Sequence, residues 1–321
     1  MSTASSSFPI TVPTRLLDKY MLPKVALTVI TVASFIGVWL TMTTHGAGTW
    51  LQVSTRWLHL ISFAALAGGY MWKGLFARPA QKPAQRPYFA HFSAASFARF
   101  RRVTQIALPI LVITAVFDLF RFSAWGIGWL ASLEIGLIAA ITITVGLDAY
   151  RHRQDDPFGE LNVARLAMIL LLLDALVQGG FDVLPTQGGG VWPLLVRWLH
   201  LAAFGLWFGG AVWNIFITVP AARSIVSVPV VVAAGQQLER FRIAVRIILP
   251  TLIITGFIQA YRYVGLNVNA LTASPFGWLI TIKLILVGIL IIVFLTCPMW
   301  RACSPISGMC KLDELYTREQ K

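Results

Sequence analysis

The sequence predicts an all-α polytopic membrane protein of eight transmembrane helices arranged as two parallel four-helix repeats, and three observations carry that expectation. The first is composition: 57% of the 321 residues are hydrophobic and 12% are charged, against a charged share of roughly 25% in a soluble domain, and mean hydropathy is +0.73. The second is length. Apolar runs of about 20 residues, enough for a helix to cross the hydrocarbon core, recur near 24–43, 53–75, 102–121, 126–148, 163–184, 193–219, 245–264 and 276–298. The third is duplication. Arg56-Trp57-Leu58-His59-Leu60, leading to Gly68-Gly69 and Trp72, returns 141 residues later as Arg197-Trp198-Leu199-His200-Leu201, leading to Gly209-Gly210 and Trp213.

These runs divide the chain into an N-terminal cytoplasmic segment (1–23), a first four-helix repeat (24–150), a charged cytoplasmic linker (151–162) beginning Arg151-His152-Arg153-Gln154-Asp155-Asp156, a second repeat (163–300) and a cytoplasmic tail (301–321). An even number of spans per repeat keeps both in one orientation, so the pseudo-twofold axis runs along the membrane normal. His59 and His200 are then expected at one depth.

Orientation follows from charge. All but five of the 26 lysines and arginines fall on alternate ends of the spans, the exceptions being Arg56, Arg121, Arg197, Arg262 and Lys283. The positive-inside rule therefore places both termini in the cytoplasm. The net charge of +13 reads as that topology signal together with attraction to anionic membrane lipid, with no nucleic-acid partner. Cys297, Cys303 and Cys310 lie at the cytoplasmic end of the last span or beyond it, where thiols stay reduced. Their spacing matches no tight zinc pattern.

Taken in order, residues 1–23 are Ser/Thr-rich and then mildly basic, and read as a disordered tip leading to an interfacial segment. The first apolar run has no small-residue cleavage site after it and is expected as a retained span. It ends at Met42-Thr43-Thr44-His45, whose thioether and imidazole, three residues apart, suit Cu(I) and form a candidate outer collector. In the second span His59 lies roughly 8 Å deep from the outer face at 1.5 Å per residue, with Arg56 on the same side. Gly68-Gly69 would let another helix approach closely. A basic, proline-rich cytoplasmic link follows over 78–87, and His91 beyond it is expected at the surface.

The third span aligns with the seventh at the same offset of 141, pairing Leu108-Pro109 with Leu249-Pro250, Thr114 with Thr255 and Arg121 with Arg262. Proline in each loosens the helix and leaves a carbonyl for neighbouring groups to satisfy. The fourth and eighth spans correspond through Gly128-Trp129 with Gly277-Trp278 and Glu134 with Lys283. There the offset is 149, because the outer loop before the eighth span is longer.

Ionisable groups inside a membrane are costly, roughly 2.5–3.5 kcal/mol on insertion scales, and so mark interiors, pairs or pathways. Glu134 and Lys283, equivalent in position and opposite in sign, are expected to neutralise each other. Asp118 has Arg121 three residues on and suggests a local pair. Asp148 and Asp182 lie near span ends, whereas Asp174 is mid-membrane with no charged partner in its own span, a candidate for a proton or cation step. The duplicated histidines read as one shared outer-leaflet site, able to hold copper or to act as axial ligands of haem b. Arg56, Arg197, Arg121 and Arg262 form an outer field that favours anions and would suit haem propionates.

The sequence resembles the copper resistance D (CopD) family of bacterial inner-membrane proteins. The resemblance rests on Arg197-Trp198-Leu199-His200 with Trp207-Phe208-Gly209-Gly210, then Arg240-Phe241, Thr255-Gly256 and the run Ser274-Pro275-Phe276-Gly277-Trp278-Leu279-Ile280-Thr281-Ile282-Lys283. It is strongest over about 193–300. The first half differs at Ala67, Ala115 and Glu134. The resemblance implies copper uptake at the bacterial inner membrane beside a periplasmic copper-binding partner, and thus a transporter with no catalytic residues. The wider group is similar to membrane haem-b proteins of the protoporphyrinogen-oxidase type, which would make the chain an oxidoreductase. Copper and haem b stay open as alternatives, as does the oligomeric state.

Overall fold

A computed structural model describes residues 21–44, 48–124, 128–151, 158, 161–184, 190–225, 227–265, 268–273 and 275–296. Among these, every regular element is helical. The long helices are α1 (Met21–Thr44), α2 (Trp50–Met71), α3 (Arg86–Ala124), α4 (Gly128–Arg151), α5 (Leu161–Val183), α6 (Val191–Val212), α8 (Val228–Val264) and α9 (Pro275–Thr296). A short α7 (Val219–Ser224) precedes α8. One π-helical turn, Trp72–Phe76, continues α2, and another, Trp213–Thr218, continues α6. His45, the three cysteines, the N-terminal tip, most of the linker and the tail lie outside the described residues.

Six segments are long and apolar enough to cross a membrane: Lys24–Thr43, Pro83–Phe120, Gly128–Tyr150, Leu161–Val183, Val191–Ser224 and Val228–Arg262. The described chain is therefore all-helical, and the protein is a membrane protein with spanning helices. Two of the eight expected spans do not meet that measure. The described apolar part of α9, Gly277–Ile292, is shorter, and α2 carries Gln52, Arg56, His59 and several hydroxyls. Helix α2 tolerates them because α1, α3, α5 and α6 pack around it, so its polar face meets protein.

Helices α3 and α8 begin well before the expected 102 and 245, at Arg86 and Val228. Their early turns carry Phe89, Phe92 and the run Val230–Ala234, which bury against Ala221 and Ala222 in a small core of their own. Apolar packing there extends both helices beyond the hydropathy signal.

The centre of the molecule is the crossing of α2 and α6. A side chain on Gly68 would place its Cβ 2.5 Å from the backbone of Gly209, so only glycine allows this approach. Phe100 lies against Gly69 and Phe241 against Gly210, each where a Cβ would collide. Trp72 and Trp213, both fully buried, stack at 6.0 Å beneath the crossing. Around this core, α5 packs on α4 and α2 while α1 packs on α9. The first helix of each stretch read as a repeat thus closes the group of helices formed by the other.

Candidate functional site

Arg56 and Arg197 project from α2 and α6 and meet at a shared carboxylate. Arg56 donates from Nη1 to Asp118 Oδ2 at 3.2 Å and from Nη2 to Asp182 Oδ1 at 3.0 Å and to the Gln178 carbonyl at 3.2 Å. Arg197 donates from Nε to the other Asp182 oxygen at 2.8 Å, from Nη1 to Gln259 Oε1 at 2.8 Å and from Nη2 to Thr41 Oγ1 at 3.2 Å. The contacts of Arg197 recur at the 141-residue offset: Gln259 stands where Asp118 stands for Arg56, and Thr41 where Asp182 does. Two cations and two carboxylates neutralise one another here, so this pair of arginines presents no excess positive field. The expected Asp118–Arg121 pair gives way to the Asp118–Arg56 bridge, and the Arg121 side chain lies outside the described residues.

One turn deeper, His59 joins Glu134 of α4 and Asp174 of α5. One ligand atom from each lies within 4.8 Å of the others, and all three residues are buried. The tautomer of His59 follows from its neighbour. Thr114 Oγ1 donates to the Ile110 carbonyl at 2.7 Å, so its contact with His59 Nδ1 at 3.2 Å is one in which Nδ1–H donates. The Nε2 lone pair of the neutral ring then points at Asp174 Oδ2, 3.6 Å away. Glu134 Oε1 accepts from Gln178 Nε2 at 2.7 Å, while among the described residues Glu134 Oε2 and both Asp174 oxygens meet no donor apart from each other's carboxyl group. Two carboxylates facing each other in a dry site need a cation between them, a proton or a metal ion. One imidazole with two carboxylates is a mixed N/O donor set of the kind that holds a divalent transition metal.

His200 has the same hydroxyl clamp and different surroundings. Thr255 Oγ1 donates to the Thr251 carbonyl at 2.6 Å and receives His200 Nδ1–H at 3.0 Å. The ring lines a cavity of about 260 Å³ between α1, α6, α8 and α9, which also takes in Arg197, Gln259 and Lys283. Beside His59 the space left is about 20 Å³.

The expected single site is therefore two sites. His59 faces carboxylates, and His200 lines a separate cavity. Glu134 and Lys283 do not pair, because α4 turns Glu134 to Gln178 and the His59 cluster whereas α9 turns Lys283 into the cavity, over Gly37. Met42 is buried in an apolar cluster with Val38 and Val53 and lines neither cavity. Arg262 is exposed, and so is His91. A haem held by both histidines does not fit: His59 Nε2 is closed off by Asp174, and Arg56 is already committed to Asp118 and Asp182.

Gln178, Asp182 and Gln259 are the residues that sequence reasoning did not assemble. The signal was present in part, since Asp174, Gln178 and Asp182 recur every four residues and line one face of α5.

The family model of copper resistance protein D matches residues 235–303, which take in most of α8 and all of α9. No curated protein and no solved structure matches the chain. Over that segment the chain is similar to a copper-resistance membrane family. The segment supplies Thr255, Gln259 and Lys283, whereas Arg56, His59, Glu134, Asp174 and His200 lie outside it.

Proposed function

We propose that the protein handles copper in the bacterial inner membrane, taking the divalent ion as cargo at His59, Glu134 and Asp174. The observation that carries this reading is the buried meeting of an imidazole lone pair with two carboxylates, one of which meets no nitrogen or hydroxyl donor among the described residues. Similarity to the copper resistance family over 235–303 supports the choice of copper among divalent metals. With both carboxylates ionised, a divalent ion brings the cluster to neutrality, the state a low-dielectric interior favours. Gln178 orients Glu134, Thr114 holds the His59 ring in the tautomer that exposes Nε2 to the cluster, and the Arg56–Asp182–Arg197 bridge closes the site one helical turn further out. Release exchanges the metal for protons, since metal and proton compete for the same lone pairs.

In this reading the chain has eight spans, with α2 and α9 completing the six apolar segments, arranged as two parallel repeats with both termini in the cytoplasm. The recurrence of Gly68 with Gly209, Trp72 with Trp213 and Thr114 with Thr255 supports the repeat. The metal site lies toward the outer ends of the helices, where a periplasmic copper-binding partner would deliver the ion.

The test is metal analysis of the full chain, purified in detergent, after loading with Cu(II) and removal of excess. About one copper per chain is expected, lost in Asp174→Asn and Glu134→Gln and retained in His200→Ala. Copper that stays in both carboxylate variants, or leaves only with His200, would overturn the assignment.

A further inference from the structure

We infer that the His200 cavity is a binding site for a single-chain lipid with an anionic head, which enters sideways from the bilayer between α8 and α9. Polar groups gather at one end of the cavity, where Arg197, Gln259, His200 and Lys283 meet. From there it runs along α6 to Trp207 and along α1 to Ile30, about 15 Å at 1.5 Å per residue, between apolar walls. One charged end and a long apolar run make the shape of an amphiphile.

The sign of the head follows from charge balance. Arg197 shares Asp182 with Arg56, and Asp118 completes two pairs of opposite charge. Lys283 is left over: among the described residues no carboxylate and no hydrogen-bond acceptor reaches its ammonium, which lies over Gly37 where a Cβ would come within 2.9 Å of Nζ. An uncompensated ammonium among apolar walls is costly, and an anionic head removes that cost by a charge-assisted hydrogen bond. The His200 ring, clamped by Thr255, borders the same end.

The route of entry follows from packing. Helices α3 and α4 lie against each other, but α8 and α9 make few close approaches along their described lengths, α9 leaning on α1 instead. The gap between them is flanked by Phe257 on α8 and Leu284 on α9, both lining the cavity and both exposed. In a bilayer those side chains face acyl chains, so the cavity opens to lipid. Its volume of about 260 Å³ suits one chain.

The probe is 11-(dansylamino)undecanoic acid, added to the purified full chain in a nonionic detergent and followed by dansyl emission. Saturable enhancement is expected, with the methyl ester and the Lys283→Gln variant each binding at least about tenfold more weakly, the scale of one lost charge-assisted contact. Ala260→Phe, which fills the cavity from α8, should abolish the signal. Acetate and inorganic phosphate should not compete, which separates a lipid from a free anion. Asp174→Asn should bind the probe normally whether or not it has lost copper, so this proposal and the copper assignment fail independently. An ester that binds as tightly as the acid, undiminished binding in Ala260→Phe, or competition by acetate would each overturn the proposal. If Lys283→Gln does not elute as a folded species, the ester and Ala260→Phe decide.

Discussion

The surroundings of His59 and His200 share a plan and differ in filling. Both histidines sit three residues after an arginine and donate Nδ1–H to a threonine on a proline-containing helix. At the 141-residue offset, however, Asp174 is matched by Ala33, Gln178 by Gly37, Asp182 by Thr41 and Asp118 by Gln259, and at 149 Glu134 is matched by Lys283. The first set fills its space and brings the carboxyl groups of Glu134 and Asp174 together beside His59. The second is hollow and carries one unpaired positive charge. In the proposed reading, two matching stretches of chain present a cation site and an anion site side by side, because a helix face fixes where side chains point and leaves their size and sign free.

The bridge between the two sites is the place to break that plan. Arg56→Ala removes the bridges to buried Asp118 and to one oxygen of buried Asp182, a change on the order of 3–5 kcal/mol, and should appear in thermal unfolding in detergent as loss of the folded species. Arg197→Ala should cost less, since Asp182 keeps Arg56 and the Arg197 side chain is 16% exposed. Equal losses in the two variants would contradict the buried bridge as the anchor.

Next in size is the central crossing. Gly209→Ala would set its Cβ 2.7 Å from Gly68 Cα, and backbone cannot give way as a side chain does. A loss of about 1–3 kcal/mol is expected from overpacking. Gly136→Ala on α4 meets nothing within 4 Å and should instead gain roughly 0.5–1 kcal/mol of helix stability.

Copper binding responds to smaller changes. Asp174→Asn should weaken Cu(II) binding at least about tenfold, or about 1.4 kcal/mol, by equilibrium dialysis. In the natural chain binding should weaken as pH falls, because protons compete for the same carboxylates and imidazole. Pairing Ala33→Asp with Lys283→Glu should give the second site the carboxylates of the first. A second copper per chain, bound less tightly for want of a counterpart to Gln178, is the expected outcome, and one copper would mean that the filling around His59 matters beyond its ligands.

Much of the frame was legible from the sequence because membrane burial writes itself into composition and length, and likeness between stretches into an offset that recurs along most of the chain. Helical class, six of the apolar spans and the close approach at Gly68 and Gly209 are of that kind. The choice of partners was not legible. Glu134 and Lys283 looked like a pair by equivalence, and Asp118 with Arg121 by spacing, yet each pairing yielded to a group on another helix: Gln178 for Glu134, Arg56 for Asp118. The four-residue stripe Asp174, Gln178, Asp182 pointed to a polar face but not to what that face meets.

Order along the chain was enough to match residue with residue between the two stretches. Which of them touch was decided only by tertiary structure. Helix α5 packs on α2 and α4 beside His59 while α1 packs on α9 and lines the His200 cavity with α6, α8 and α9, and that exchange separates the two histidines, sending one to a pair of carboxylates and the other to an open cavity. The physical reason is that the α2–α6 crossing at the glycines leaves each helix's histidine face turned toward a different set of neighbours, and hydropathy does not record which neighbours those are.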